Sequence, residues 1–241
     1  MDSQLVILHE DADCLAVAKP AGQFTLGTWA PPGETTLEQA IRRHLDPDRP
    51  AAVYLGIVHR LDRPTSGVLI WARTPKAARR LSIQFERRRA VKEYWALVES
   101  GGSEVSLPAA NGEATWTDWL TRPGRTGLVH IVPAGTPGAR CAVTRVSTGV
   151  AEGLPPGVAW LRLRPETGRT HQLRIQAAVR GLPILGDREY GARIPFEPLH
   201  AIALHARSLE VRHPTLQTPM MLTAPIPPAW RGLGFDPGEA G

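Results

Sequence analysis

Glycine and proline divide most of this chain into apolar runs of only four to seven residues, and that punctuation limits what it can fold into. Runs of this length suit strands joined by turns. A heptad rod or a membrane span needs a longer uninterrupted pattern. The 23 Gly and 23 Pro are spread along all 241 residues, so they mark turns between short elements and not low complexity. Apolar residues at 42 % and charged residues at 21 % fit a globular chain large enough to bury its own core.

Apolar runs at residues 5–8 and 14–18 predict a hairpin across the polar turn Glu10-Asp11-Ala12-Asp13, with Lys19-Pro20-Ala21-Gly22 breaking the second strand. Leu37, Ala40, Ile41 and Leu45 share a helical face, and Thr36 with Gln39 forms a capping-box pattern, so a helix is expected over 36–45. Strands are expected over 54–58 and 68–72. Thr74 then caps a helix that Pro75 opens, with Ala78, Leu81 and Phe85 as its buried stripe, and a strand follows at 94–98. Residues 100–165 alternate β-like runs (114–120, 128–132, 141–146, 158–163) with Gly- and Pro-containing turns, the spacing of an antiparallel sheet. A helix over 170–180 is stopped by Gly181 and Pro183, a strand lies near 208–212, and Pro-rich coil runs from Pro225. No repeat or long linker divides the chain. The expected fold is α+β: a mixed, mostly antiparallel β-sheet with a few flanking helices and a central cleft. One domain over residues 1–230 is expected, with a flexible tail at 231–241.

Lys plus Arg is 28 against 23 acidic residues, a net charge of +5, and only Lys19, Lys76 and Lys92 are lysines. Arginine's planar fork grips phosphate bidentately and stacks on bases, so the balance points to an anionic partner such as nucleic acid. Cys14 and Cys141 stand far apart without a CxxC pattern, which suggests neither a disulfide framework nor a zinc site. The acidic start Met1-Asp2-Ser3-Gln4 lacks the regions of a signal peptide, and no run approaches the ~18 apolar residues of a membrane span. A cytoplasmic, monomeric protein without membrane contact is expected.

Two polar segments carry the chemistry. His59-Arg60-Leu61-Asp62-Arg63-Pro64-Thr65-Ser66-Gly67 sits between two strand candidates and sets one carboxylate between two guanidiniums. Neighbouring cations keep a carboxylate ionised, so Asp62 is available as a nucleophile or base; the plainer reading is a loop Asp bonded to backbone. Thr167-Gly168-Arg169-Thr170-His171-Gln172-Leu173-Arg174 places Arg169 where a helix emerges from a tight turn, where a solvated surface Arg is equally compatible with the spacing.

Together these segments resemble signature motifs of the RluA family of pseudouridine synthases, approximately HRLDxxTSG and GRTHQxRxH followed by G-x-P-I-x-GDxxYG. The resemblance covers nearly the whole chain. Residues 13–22 match D-x-x-x-x-V-x-K-P-x-G, Val91-Lys92-Glu93-Tyr94 matches V-x-K-x-Y, Ala142-Val143-Thr144 fits A-x-T, and Leu204-His205-Ala206 through His213-Pro214 fits the closing pattern. The resemblance implies an isomerase acting on uridine in ribosomal or transfer RNA, without cofactor or metal. It implies Asp62 as the catalytic aspartate and Tyr94 as the tyrosine that contacts uracil and removes a proton. Arg169 is implied as the basic residue that pairs with the aspartate. His59, Arg60, Arg63, Thr65, His171, Gln172 and Arg174 are expected to contact RNA, with Arg60 stacking where a base has flipped out. The alternative is a non-catalytic RNA-binding or RNA-chaperone protein that retains the fold.

The chain departs from the family pattern twice. Gln23-Phe24-Thr25-Leu26-Gly27 stands where a His-Pro pair is usual, and Gln176 replaces the second histidine of the third motif. Both departures bear on substrate contacts more than on chemistry. Arg79, Arg80, Arg87, Arg88 and Arg89 form either a phosphate-binding surface or the solvated face of a helix. The eight histidines include no HExxH, and His59, Asp62 and Ser66 lack the GxSxG elbow of a hydrolase.

Overall fold

The computed structural model describes residues 5–27, 30–101, 112–124, 126–149 and 151–238. The chain forms two compact units, one from residues 1–92 and 206–225 and the other from 93–205 and 226–241.

The first unit opens with the expected hairpin, β1 (Val6–Glu10) against β2 (Cys14–Lys19). Its next elements are α1 (Leu37–Leu45), β3 (Gly56–Ile57), β4 (Ser66–Ala72) and α2 (Pro75–Glu86). The local signals are realised. The Thr36 side chain accepts from Gln39 N–H while Gln39 reaches back to Thr36 N–H, and Thr74 caps α2 with Pro75 at its first position.

β2 and β3 both pair antiparallel with β4. Every residue of β4 is buried, the signature of a strand covered on both faces. Ala77 and Leu81 of α2 pack in one cluster with Cys14, Ala16, Val68, Ile70 and Ala72. The expected strand at 54–58 is cut to Gly56–Ile57 for a visible reason. The ladder bond of Ile70 N–H goes instead to the imidazole Nε2 of His59, at 3.0 Å. β10 (Leu204–Arg212) neighbours β4, and β11 (Pro219–Thr223), absent from the expectation, pairs with β10 from Ser208 onward. Gly67 takes φ +119°, and a Cβ there would stand 2.2 Å from the carbonyl oxygen of Ala206, so glycine alone fits this approach.

The second unit is an antiparallel sheet in the order β5-β9-β8-β6-β7, from β5 (Val91–Glu99), β6 (Glu113–Leu120), β7 (Ile131–Val132), β8 (Arg140–Thr148) and β9 (Val158–Pro165). Ala142, Thr144 and Val146 alternate inward along β8. The run at 128–132 pairs only at its end, because Val129 N–H and His130 N–H bond the side chains of Tyr190 and Thr121. Within the sheet order the antiparallel reading of 100–165 holds for its described residues.

α3 (Gln172–Ala178) is shorter than the helix expected over 170–180, since His171 adopts a left-handed φ of 52° at its N-cap. Trp95, Trp160, Trp230 and Phe235 meet edge to face in the core. α4 (Pro228–Gly232) buries Trp230, Phe235 is 3 % exposed, and Asp236 bridges to Glu152, so Trp230 and Phe235 anchor this stretch to the unit while the residues around Phe235 stay largely exposed. The last three residues lie outside the described ones.

Candidate active site

In the first unit, the loop between β3 and β4 is tied down on both sides of Asp62. The buried Lys19 ammonium donates to the carbonyls of Pro20 (3.0 Å), Arg63 (2.9 Å) and Thr65 (2.7 Å). Thr25 Oγ1 donates to Leu61 O at 3.0 Å, Gly22 N–H donates to Arg63 O, and Thr65 N–H closes a turn onto Asp62 O at 3.1 Å. The carbonyls of Leu61 and Arg63, immediately before and after Asp62, are therefore both engaged. Burial pushes Lys19 down to about 7, with the Asp62 carboxylate opposing that shift and Arg63 adding to it. A protonated amine meets three carbonyl acceptors with its three donors.

Arg63 Nε donates to Gly22 O, its guanidinium lies 4.4 Å from the Phe24 ring, and Glu34 stands 3.5 Å away. Phe24 and Thr25 belong to the segment that departs from the family pattern, and the structure employs both to hold this loop. Thr65 departs from the sequence reading: at 2 % exposure it is a loop anchor, not an RNA contact. His59 stacks on Phe85 of α2 with ring centroids 4.6 Å apart while its Nε2 accepts from Ile70 N–H, so its ring is committed to packing. Arg60 is exposed.

The second unit holds Tyr94 and Arg169. Tyr94 sits half-buried on β5 opposite Leu163 of β9. Arg169 Nε donates to Cys141 O at 3.1 Å, and its backbone N–H donates to Gln172 Oε1 at 3.1 Å. Gln172 is 3 % exposed; its amide also donates to Val143 O and Thr144 Oγ1, and its carbonyl accepts from Thr167 Oγ1. Gln172 thus fastens the turn that carries Arg169 to β8, a positioning role in place of the expected RNA contact.

Gln176 is fully buried. It accepts from Thr144 Oγ1 and donates to Asp118, a structural knot that accounts for glutamine at the second departure from the family pattern. Arg174 is likewise 3 % exposed, corrected from RNA contact to buried clamp. Its guanidinium grips Asp187 through two bonds (2.7 and 2.6 Å), reaches Glu189 at 2.6 Å and covers the Tyr190 ring at 4.9 Å. The Tyr190 hydroxyl accepts from Val129 N–H and meets His171 Nδ1 at 2.9 Å.

Among the described residues, His9, Asp11, Cys14 and His213 bring potential metal-ligand atoms within 4.8 Å of one another. Their chemistry fits a hydrogen-bond clamp instead. His213 Nδ1 accepts from Thr215 and Leu216 N–H, so its proton sits on Nε2 and goes to Asp11 at 2.7 Å. A ligating histidine ordinarily donates through its second nitrogen. Burial and the Asp11 charge push the Cys14 thiol up to about 12. Burial opposes ionisation of Asp11, but bonds from Cys14 N–H, His213, His9 and Asp13 N–H together hold it below the usual carboxylate range.

These groups make the first unit acid-labile. Burial, with a smaller effect of Lys92, pushes His59 down to about 3 from its ordinary 6.5. Between those values the unfolded chain takes up a proton that the folded one refuses, so stability is full above pH 6.5 and falls as the pH drops through this window. Asp11 extends the loss at the acid end. Melting temperatures across this range should decline on acidification, and His59→Gln should reduce the slope by about one proton. An unchanged slope in that variant contradicts the assignment.

A family model described as RNA pseudouridylate synthase matches residues 13–179. A Zymomonas mobilis protein named as an uncharacterized RNA pseudouridine synthase is 35 % identical over 240 residues, covering 95 % of this chain and 97 % of its own. The Yersinia pestis protein named tRNA pseudouridine synthase C is 31 % identical over 250 residues, covering 98 % and 92 %. The solved structure of human RNA pseudouridylate synthase domain containing 1 matches with a TM-score of 0.71 at 27 % identity, covering 97 % of this chain and 89 % of its own. With its motifs in order and its antiparallel sheets in place, this chain belongs to the RNA pseudouridylate synthase family, of the RluA type.

Proposed function

We propose that this protein isomerises uridine to pseudouridine in ribosomal or transfer RNA, with Asp62 as the nucleophile. The observation that carries the reading is the pinned loop: Leu61, Arg63 and Thr65 carbonyls are all held, so the Asp62 carboxylate is presented from rigid backbone. Asp62 attacks an electrophilic carbon, either the ribose anomeric carbon or carbon 6 of uracil. The bond from N1 to the ribose breaks, the base turns, carbon 5 bonds to the ribose in its place, and the bond from the Asp62 oxygen to the nucleotide breaks so that the free carboxylate is returned. Carbon 5 then loses its proton, with Tyr94 as acceptor, and N1 gains one. Atoms and electrons balance within the nucleotide, so the conversion calls for no redox group or group donor.

Tyr94 also offers a ring against which the detached uracil is retained. Arg169, fixed through Cys141 O and Gln172, is the residue that the family motif assigns as the carboxylate's basic counterpart. Arg60, exposed and two positions before Asp62, is suited to stacking in the helix of a flipped base. Ribosomal and transfer RNA carrying tritium at uracil carbon 5 should release it to water on incubation with the protein alone. Mapping then identifies the uridine. No release from either RNA, with RNA binding retained, would leave the non-catalytic binding protein as the answer.

A further inference from the structure

The arginines of α2 have a feature that family membership does not explain. Most arginines with described contacts elsewhere are neutralised: Arg42, Arg49, Arg63, Arg73, Arg145, Arg164, Arg174 and Arg180 each face a carboxylate. Among the described residues, Arg79, Arg80, Arg87, Arg88, Arg89 and Arg212 have no ion pair, although Glu86 and Glu210 are close in sequence.

Three of these arginines, Arg80, Arg89 and Arg212, line a groove of about 550 Å³ floored by Ile83, Gln84 and Val211. The groove is built, not incidental. Gln84, 8 % exposed, donates to Arg212 O at 2.8 Å and accepts from Arg212 N–H at 2.7 Å, stapling the end of α2 to β10 as one more ladder rung. Arg80 spends one arm on Pro214 O and Arg212 one on Gln217 O, both at 2.8 Å. Each guanidinium is thereby oriented with donors to spare. Arg88 takes a left-handed φ of 55°, and Arg89 and Ala90 N–H both return to Gln84 O, a turn that leaves Arg87, Arg88 and Arg89 exposed and Arg89 in the groove's lining.

We propose that this groove is a second RNA contact that grips the phosphodiester backbone of the substrate away from the reacting uridine. It rests on the reading of the protein as an enzyme acting on RNA. Preoriented guanidiniums without carboxylate partners fit phosphate, and backbone contacts fix position without reading sequence. Glu210 is the one carboxylate in the lining, and it opposes the ligand.

The test is binding of bulk transfer RNA between about 50 and 200 mM salt, where each phosphate that the protein ceases to neutralise lowers the slope of log affinity against log salt by about 0.7–0.9. Arg80→Gln/Arg89→Gln should weaken binding about tenfold or more and lower the slope by about 1.4–1.8. It should raise KM for RNA while kcat holds. Glu210→Gln should act in the opposite sense and tighten binding, a gain that misfolding cannot produce. Wild-type affinity and slope in both variants would overturn the proposal. If the wild-type protein releases no tritium, the enzymatic reading fails, while the salt slopes still report on the groove.

Discussion

Asp62→Asn is expected to leave a folded protein that binds RNA and to lower pseudouridine formation by at least about 10³-fold, to below detection in a tritium-release assay. The substitution keeps size and hydrogen-bonding capacity but removes the charge needed for attack. The loop keeps its bonds from Lys19, Thr25, Gly22 and the backbone turn in the variant, since these are made to main-chain carbonyls. The electrostatic cost falls on Lys19, whose charge Asp62 favours, so a modest drop in melting temperature is expected alongside the kinetic loss. Thermal melting and RNA binding of the variant separate lost chemistry from lost fold. Wild-type turnover by the folded variant would remove Asp62 from the nucleophile's role.

The largest stability effect is expected at Arg174. Arg174→Met keeps the length of the side chain but strands the carboxylate of Asp187, which is 1 % exposed and accepts both of its short bonds from that guanidinium. Breaking a buried pair from one side costs about 3–5 kcal/mol, because the remaining charge has neither water nor partner. In a chain of this size that lowers the melting temperature by roughly 10 °C or more. Arg174→Met/Asp187→Leu should recover part of the loss, since removing both partners eliminates the stranded charge. Equal destabilisation by the single and double variants would show that packing, not the unpaired carboxylate, sets the cost. RNA affinity measured at a temperature where the single variant is folded should match wild type, as expected for a side chain that does not reach solvent.

Chain-local chemistry was readable from the sequence because its partners sit within a few positions. The Thr36–Gln39 capping box, the Thr74-Pro75 helix start and the hairpin turn at Asp11 all follow from neighbours one to four residues apart. The order of the motifs likewise singled out Asp62, Tyr94 and Arg169 and the family to which the chain belongs.

What the polar residues around them do was decided only by the fold. Lys19 reaches Thr65 across 46 positions, Thr25 reaches Leu61 across 36, and Gln176 reaches Asp118 across 58. The sequence reading assigned Thr65, Gln172 and Arg174 to RNA, and the fold buries all three together with Gln176. A buried polar atom must find a partner, and where the partner comes from another strand no periodicity in the sequence announces it. The same reason hid β11, the side-chain bonds that shorten β3 and β7, and the place of Phe235 in the aromatic core. Each depends on a surface that exists only once distant segments have met.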